Sequence, residues 1–182
     1  CRKKLSLSLL RMIMEKHSER LSRMSFSQTF VMSNKVREMK AKGLDVISLT
    51  LGEPDFDVPK NIKEAAFEAI NNNYSHYSPV PGFLDLRQAI CDKLKRDNNL
   101  DYLPSQICVS NGAKQSILNV LASVLNDGNE VILPAPYWVS YDEMVKMMGG
   151  TSVFVETSIE TDFKITAEQL EKAITPKTKV LL

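Results

Sequence analysis

The chain has 182 residues, 43% hydrophobic and 25% charged, an ordinary globular composition with length for one sizeable core, which excludes a disordered or fibrous protein. Its 23 basic and 22 acidic side chains nearly cancel, so no broad field marks nucleic acid or an anionic membrane as a partner. Cys1, Cys91 and Cys108 are an odd number without metal-ligand spacing; Cys91 and Cys108 fall on apolar faces, so reduced buried thiols in a cytoplasmic setting are expected.

Arg2-Lys3-Lys4 followed by Leu5, Leu7, Leu9 and Leu10 has the outline of a signal peptide, but Arg11 interrupts the apolar run and no small-residue cleavage site follows. Residues 1–13 are therefore read as a leader or an artefact of where translation was begun. Ser25 or Ser27 is placed to cap a helix with Met32, Val36 and Met39 on one face, closed by Lys40, Lys42 and Gly43. Val46-Ile47-Ser48-Leu49 reads as a strand. It runs into Gly52-Glu53-Pro54-Asp55-Phe56-Asp57-Val58-Pro59, where Gly and Pro exclude regular structure. The next helix repeats Ile62, Ala65, Ala66, Ala69 and Ile70 at three- and four-residue spacing, an Ala-rich face that implies close packing. After Asn71-Asn72-Asn73 comes the loop from Tyr74 to Gly82, with His76, Tyr77, Pro79 and Pro81, and then a helix with Phe83, Leu86, Ile90, Cys91 and Leu94 inward, stopped by Asn98-Asn99.

Two strand, loop and helix units follow. Ile107-Cys108-Val109-Ser110 is a β-branched apolar run, Asn111-Gly112-Ala113 a turn, and Lys114 to Leu125 a helix apolar enough to be covered on both sides. Asp127-Gly128-Asn129 closes that helix, Glu130-Val131-Ile132-Leu133 is a strand, and Pro134-Ala135-Pro136-Tyr137-Trp138 leads into a helix with Met144, Val145 and Met148 inward. If both strands lie parallel in one sheet, their loops open on the same carboxyl rim, and Gly112 and Trp138 face one ligand. Gly149-Gly150, the strand Ser152-Val153-Phe154-Val155, and a capping box of Thr166 with Gln169 before Leu170, Ala173 and Ile174 continue the α/β alternation. The apolar run Lys179-Val180-Leu181-Leu182 reads as a strand, so a fragment ending midway through a sheet is expected.

A helix starting straight after a Gly turn offers backbone N–H groups and the positive end of its dipole to an anion, and a phosphate suits that place. Alone the loop is weak evidence: it matches neither the P-loop nor the dinucleotide fingerprint, and such turns are more often plain connections. A lone Trp is likewise more often core or interface than a cofactor stacker. His76 has no nucleophile beside it, and Glu53, Asp55 and Asp57 more often solvate a loop than bind metal, so neither receives a role.

The combination is more specific. Leu51-Gly52-Glu53-Pro54-Asp55-Phe56-Asp57-Val58-Pro59, His76-Tyr77, Pro81-Gly82 with Leu86-Arg87, Asn111-Gly112-Ala113-Lys114-Gln115, and Pro134-Ala135-Pro136-Tyr137-Trp138-Val139-Ser140-Tyr141 resemble, in order and spacing, the N-terminal motifs of class I pyridoxal-phosphate-dependent aminotransferases, above all the bacterial type that acts on aspartate. The resemblance covers about Leu21 to Leu182. It implies an incomplete three-layer α/β/α fold (fold type I), with residues 14–50 in the small domain and 51–182 the first half of the large one.

It also implies roles. Gly112, Ala113 and Lys114 match the turn that binds the phosphate of pyridoxal 5'-phosphate, and Trp138 matches the aromatic that stacks on its ring and lies beside the substrate. Gly52 matches the glycine whose N–H meets the substrate carboxylate, and Tyr77 the tyrosine that reaches the other subunit's cofactor phosphate in a homodimer. The substrates implied are an L-amino acid, with aspartate expected, and a 2-oxo acid, 2-oxoglutarate. Lys114 could put a charge near a distal carboxylate, or be a solvated first-turn lysine. Specificity for aromatic or other amino acids, and a non-catalytic remnant, remain the alternatives. The family's cofactor-holding lysine, the acid on the pyridine nitrogen and the arginine for the α-carboxylate match positions later than Leu182, so no catalytic residue is assigned and the chain alone is expected not to transaminate.

Overall fold

The computed structural model describes residues 18–25 and 28–182. The leader at 1–13 and the candidate cap Ser27 lie outside the described residues. The rest divides into two compact units, one comprising residues up to Thr50 together with Ser116–Leu182, the other Leu51–Gln115.

The first unit is organised by β1, Glu130–Ala135. Val131, Ile132 and Leu133 are each fully buried, the pattern of a strand covered on both faces and flanked on both edges. Its neighbours are β2, Thr151–Glu156, and β3, Thr178–Leu181, both parallel to it, giving the order β2-β1-β3. Register runs from Glu130 opposite Thr151 to Ala135 opposite Glu156, and an irregularity after Glu130 sets Val131 opposite Val180. Parallel neighbours need crossovers. Between β1 and β2 runs α6, Ser140–Met147; between β2 and β3 runs α7, Ala167–Ala173. Leu121 and Leu125, at the end of α5 (Ala113–Val124), close over Val131, Leu133 and Val145, with Tyr137, Tyr141, Met144 and Met148 packed around them.

Capping agrees with the sequence. Gln169 N–H donates to Thr166 Oγ1 at 3.2 Å and Gln169 Oε1 accepts from Thr166 N–H at 2.9 Å, satisfying two donors at the start of α7 reciprocally. On α6, Lys146 Nζ bridges Asp142 at 2.6 Å and Glu143 at 3.1 Å. The hydrogen bond that Lys146 donates to Asp142 leads in holding its ammonium above the ordinary pKa, helped by Glu143 and opposed by desolvation. Glu143 reaches further: its Oε2 accepts from Ser25 N–H at 2.7 Å, so Ser25 ties the chain between α1 (Glu19–Ser22) and α2 (Gln28–Ala41) to α6.

The second unit holds α3 (Lys60–Asn71), α4 (Leu84–Asn98) and a 3-10 turn at Pro104–Gln106. Cys91 is buried beside half-buried Ile90 and Leu94, as the spacing predicts, whereas Phe83 and Leu86 are exposed.

Several expectations are corrected. Val46–Leu49 is not a strand: Ile47 and Leu49 are 88% and 93% exposed, and Thr50 is held by Ser33 and Ser48 hydroxyls instead. Ile107–Ser110 is not a strand either, because Val109 N–H is used by Pro81 O at 3.0 Å and no ladder partner lies beside it among the described strands. Cys108 is exposed. The Ala-rich face of α3 is open, with Ile62 and Ile70 exposed, and α5 is covered on one side only, Val120 and Val124 facing outward. Apolar periodicity says which face a helix would bury, and the partner has to come from elsewhere in the chain.

Two measurements follow from this packing. Leu133→Ala removes a fully buried side chain and is expected to cost about 2–5 kcal/mol, against roughly 1 kcal/mol for Thr166→Ala at the cap, as read by chemical denaturation. Lys146→Met is expected to cost about 0.5–1 kcal/mol, the partly exposed setting keeping it small. A raised folded-state pKa places that contribution fully below the unfolded value. The Lys146→Met loss should therefore be equal at neutral and mildly alkaline pH, and vanish only as pH rises above the ordinary lysine value of 10.5.

Candidate functional site

The turn before α5 is the most shaped of the candidate features. Gly112 has φ +82°, in the left-handed region that β-carbons disfavour, and nothing lies within 4 Å of where a β-carbon would stand. Its N–H donates to Ser110 O at 2.8 Å, its carbonyl accepts from Gln115 N–H at 3.1 Å, and Gln115 Oε1 accepts from Asn111 N–H. The loop is thus bound to the first turn of the helix it opens. Ala113 and Lys114 occupy that turn, which carries no acidic residue. Helices commonly place Asp or Glu there to meet the dipole. With Lys114 in that place and open space above Gly112, the residues fit an external phosphate.

The remaining candidates of the same unit lie in loops. Gly52 stands in the irregular stretch 51–59 with nothing within 4 Å of a β-carbon, so its backbone is approachable. Tyr77 is fully exposed, at 105%, in a hollow lined by Ser75 and His76.

Trp138 belongs to the other unit, between the end of β1 and α6. The Ala135–Pro136 peptide is cis. Thr157 grips the strand end there, its Oγ1 and N–H both donating to Ala135 O, at 2.6 and 3.0 Å. Beyond it the two aromatics part. Tyr137 stacks on Phe154 of β2, ring centroids 5.3 Å apart and planes 15° apart, while Trp138 is 46% exposed and its carbonyl accepts from Tyr141 N–H at 2.9 Å. Tyr137 takes the core role expected of a lone aromatic and Trp138 is left half outside. Beside Tyr137 and Val139, the side chains of Met24, Leu118, Met144 and Met147 line an apolar groove of about 490 Å³. The shared rim for Gly112 and Trp138 was inferred from a strand at 107–110. That strand is absent, and Gly52, Tyr77, Gly112, Ala113 and Lys114 fall in one unit and Trp138 in the other.

Arg87, which the sequence shows within a motif but without a role, donates from Nε to Gly82 O at 3.1 Å and from Nη1 to Pro104 O at 2.7 Å. The signal was there: Arg87 shares the inward face with Ile90, Cys91 and Leu94 at helical spacing, a charge at a core position.

Residues 44–182 match the family model for class I and II aminotransferases. Among curated relatives, an aspartate/prephenate aminotransferase of Cereibacter sphaeroides is 53% identical over 89% of this chain and 40% of its own length, and an aspartate aminotransferase of Bacillus sp. YM-2 is 47% identical over 91% and 42%. Among solved structures, the aspartate aminotransferase from Thermus thermophilus with maleate superposes with a TM-score of 0.87 at 41% identity, covering 92% of this chain and 44% of that one. The chain thus spans about two fifths of the length of the relatives it matches, and its parallel sheet with crossover helices is part of the fold type I architecture. With the family model covering most of its length and relatives near half identity, the chain belongs to the class I and II aminotransferases.

Proposed function

We propose that the complete protein is a cytoplasmic, homodimeric, pyridoxal-phosphate-dependent aminotransferase that moves an amino group from aspartate to 2-oxoglutarate. In this reading residues 14–50 belong to the small domain and 51–182 form the first half of the large, cofactor-binding domain. The observation that carries it is the Gly112 turn: a left-handed glycine opening a helix whose first turn holds Lys114 and no acid, in a member of this family.

Bound pyridoxal 5'-phosphate supplies an electron sink at the substrate α-carbon and a carrier for the amino group. The chain's own residues hold and orient it. Backbone N–H groups at Ala113 and Lys114, with the helix dipole and the Lys114 ammonium, neutralise the phosphate, and Gly112, whose own N–H is taken by Ser110 O, shapes the turn that lets it approach. The half-exposed Trp138 indole lies against the ring and keeps water from it. Gly52 N–H receives the substrate carboxylate, and the fully exposed Tyr77 phenol donates to the phosphate of the partner subunit. Several relatives carry the name aspartate/prephenate aminotransferase, which makes prephenate, another 2-oxo acid, the second acceptor to test.

Purified complete protein should convert aspartate and 2-oxoglutarate to oxaloacetate and glutamate in coupled assay. Failure with aspartate, alongside turnover of aromatic donors, would move the specificity. Tyr77→Phe removes a hydrogen bond to a charged acceptor worth about 1.5–3 kcal/mol, a loss of roughly ten- to a hundredfold in cofactor affinity with the fold intact. Trp138→Ala should weaken cofactor retention more than it lowers the apo melting temperature, since stacking contributes roughly 0.5–1.5 kcal/mol beyond burial. A large stability loss with unchanged affinity would make Trp138 a packing residue.

A further inference from the structure

We propose that Arg87 is a positioning residue for the phosphate arms: it ties the Pro81-Gly82 turn to Pro104, at the head of the stretch that leads into Ile107–Ser110, and the junction so held, closed by Val109 N–H on Pro81 O, sets where both Tyr77 and the Gly112 turn stand. The inference rests on the reading of Gly112 and Tyr77 as phosphate ligands given above.

Arg87 lies half-buried on α4, and its two hydrogen bonds run to backbone carbonyls of different segments, Gly82 and Pro104. A planar guanidinium holds its donors at a fixed angle, so the two carbonyls are fixed relative to each other as well as to the helix. The turn is itself closed by Gly82 N–H donating to Pro79 O at 2.8 Å, and Pro81 O accepts from Val109 N–H at 3.0 Å. The contact is tight: Gly82 has φ +96°, and a β-carbon there would meet Val109 Cγ2 at 2.8 Å. Since Ile107–Ser110 belongs to no ladder among the described strands, this junction is what secures it. From Val109 the chain has only Ser110 and Asn111 before Gly112, and Ser110 O accepts the Gly112 N–H. From the other side of the junction, Pro79 follows Tyr77 by two residues. One arginine therefore anchors the root of the arm used in its own subunit and the root of the arm offered to the partner.

A merely structural arginine would affect stability and all ligands alike, whereas a residue that sets the phosphate arms affects the phosphate alone. The test is equilibrium titration of the complete protein with pyridoxal 5'-phosphate and with phosphate-free pyridoxal, followed by absorbance, for the parent, Arg87→Met and Arg87→Lys. Arg87→Met should lose roughly tenfold or more in pyridoxal-phosphate affinity while pyridoxal affinity stays within about twofold. Arg87→Lys, which supplies a compact ammonium in place of the fork, should fall between. Equal losses for both ligands, or none, in variants with parent-like circular dichroism would overturn the proposal. If Arg87→Met does not fold, the same affinity ratio measured on Arg87→Lys decides. A parent that shows no preference for the phosphorylated ligand would refute the phosphate reading itself, and the role of Arg87 with it.

Discussion

The complete burial of Val131, Ile132 and Leu133 is the constraint from which the first unit follows. A strand buried on both faces cannot alternate polar and apolar residues, and its ladder groups need partners on both edges. β2 and β3 supply those partners in parallel, and parallel pairing in turn requires α6 and α7 as crossovers. Val131 and Leu133 point to one side, where Leu121, Leu125 and Val145 meet them, and so α5 is drawn onto the same core. The end of this strand, where Thr157 grips Ala135 O, is also where the chain turns to present Trp138. Packing at one end of β1 and exposure at the other are consequences of the same strand.

What was legible in the sequence was whatever local chemistry decides alone. The Thr166 and Gln169 capping box needs only residues three apart, and it formed as read. Gly112 and Asn99 are left-handed where a turn and a helix stop were expected. β1 was legible because three successive apolar residues, Val131, Ile132 and Leu133, between turn signals have few alternatives. Val46–Leu49 and Ile107–Ser110 carry an equally good β-branched signature, but a strand is a property of a pair, and neither has a neighbour to pair with among the described strands. The Ala-rich face of α3 fails for the same reason: composition prepares a face, and only another element can cover it.

The candidate site divides along similar lines. Gly112 could be singled out because glycine at a strand-to-helix turn has a backbone reason to be there. Trp138 is singled out over Tyr137 by the motif it matches, whereas the physical difference between two adjacent aromatics shows only once Phe154 takes one of them. Arg87 is marked by sequence as a charge at a core position of its helix, but what it holds is not, because its partners are carbonyls, which leave no trace in side-chain identity.

The interleaving of the two units has a consequence for how the protein is made. Residues 18–50 belong with Ser116–Leu182, and the whole of Leu51–Gln115 intervenes. On the ribosome, α1 and α2 emerge long before the strand and helix they are to join. Ser25 must wait for Glu143, which is added only after the entire second unit has been translated. Closing so long a loop adds little to the final free energy, because the entropic cost grows only with the logarithm of length, but it slows the search. During that interval Met24 stands without Leu118, Met144 and Met147, its neighbours around the apolar groove, and that is the stage of synthesis at which a holding chaperone has something to hold.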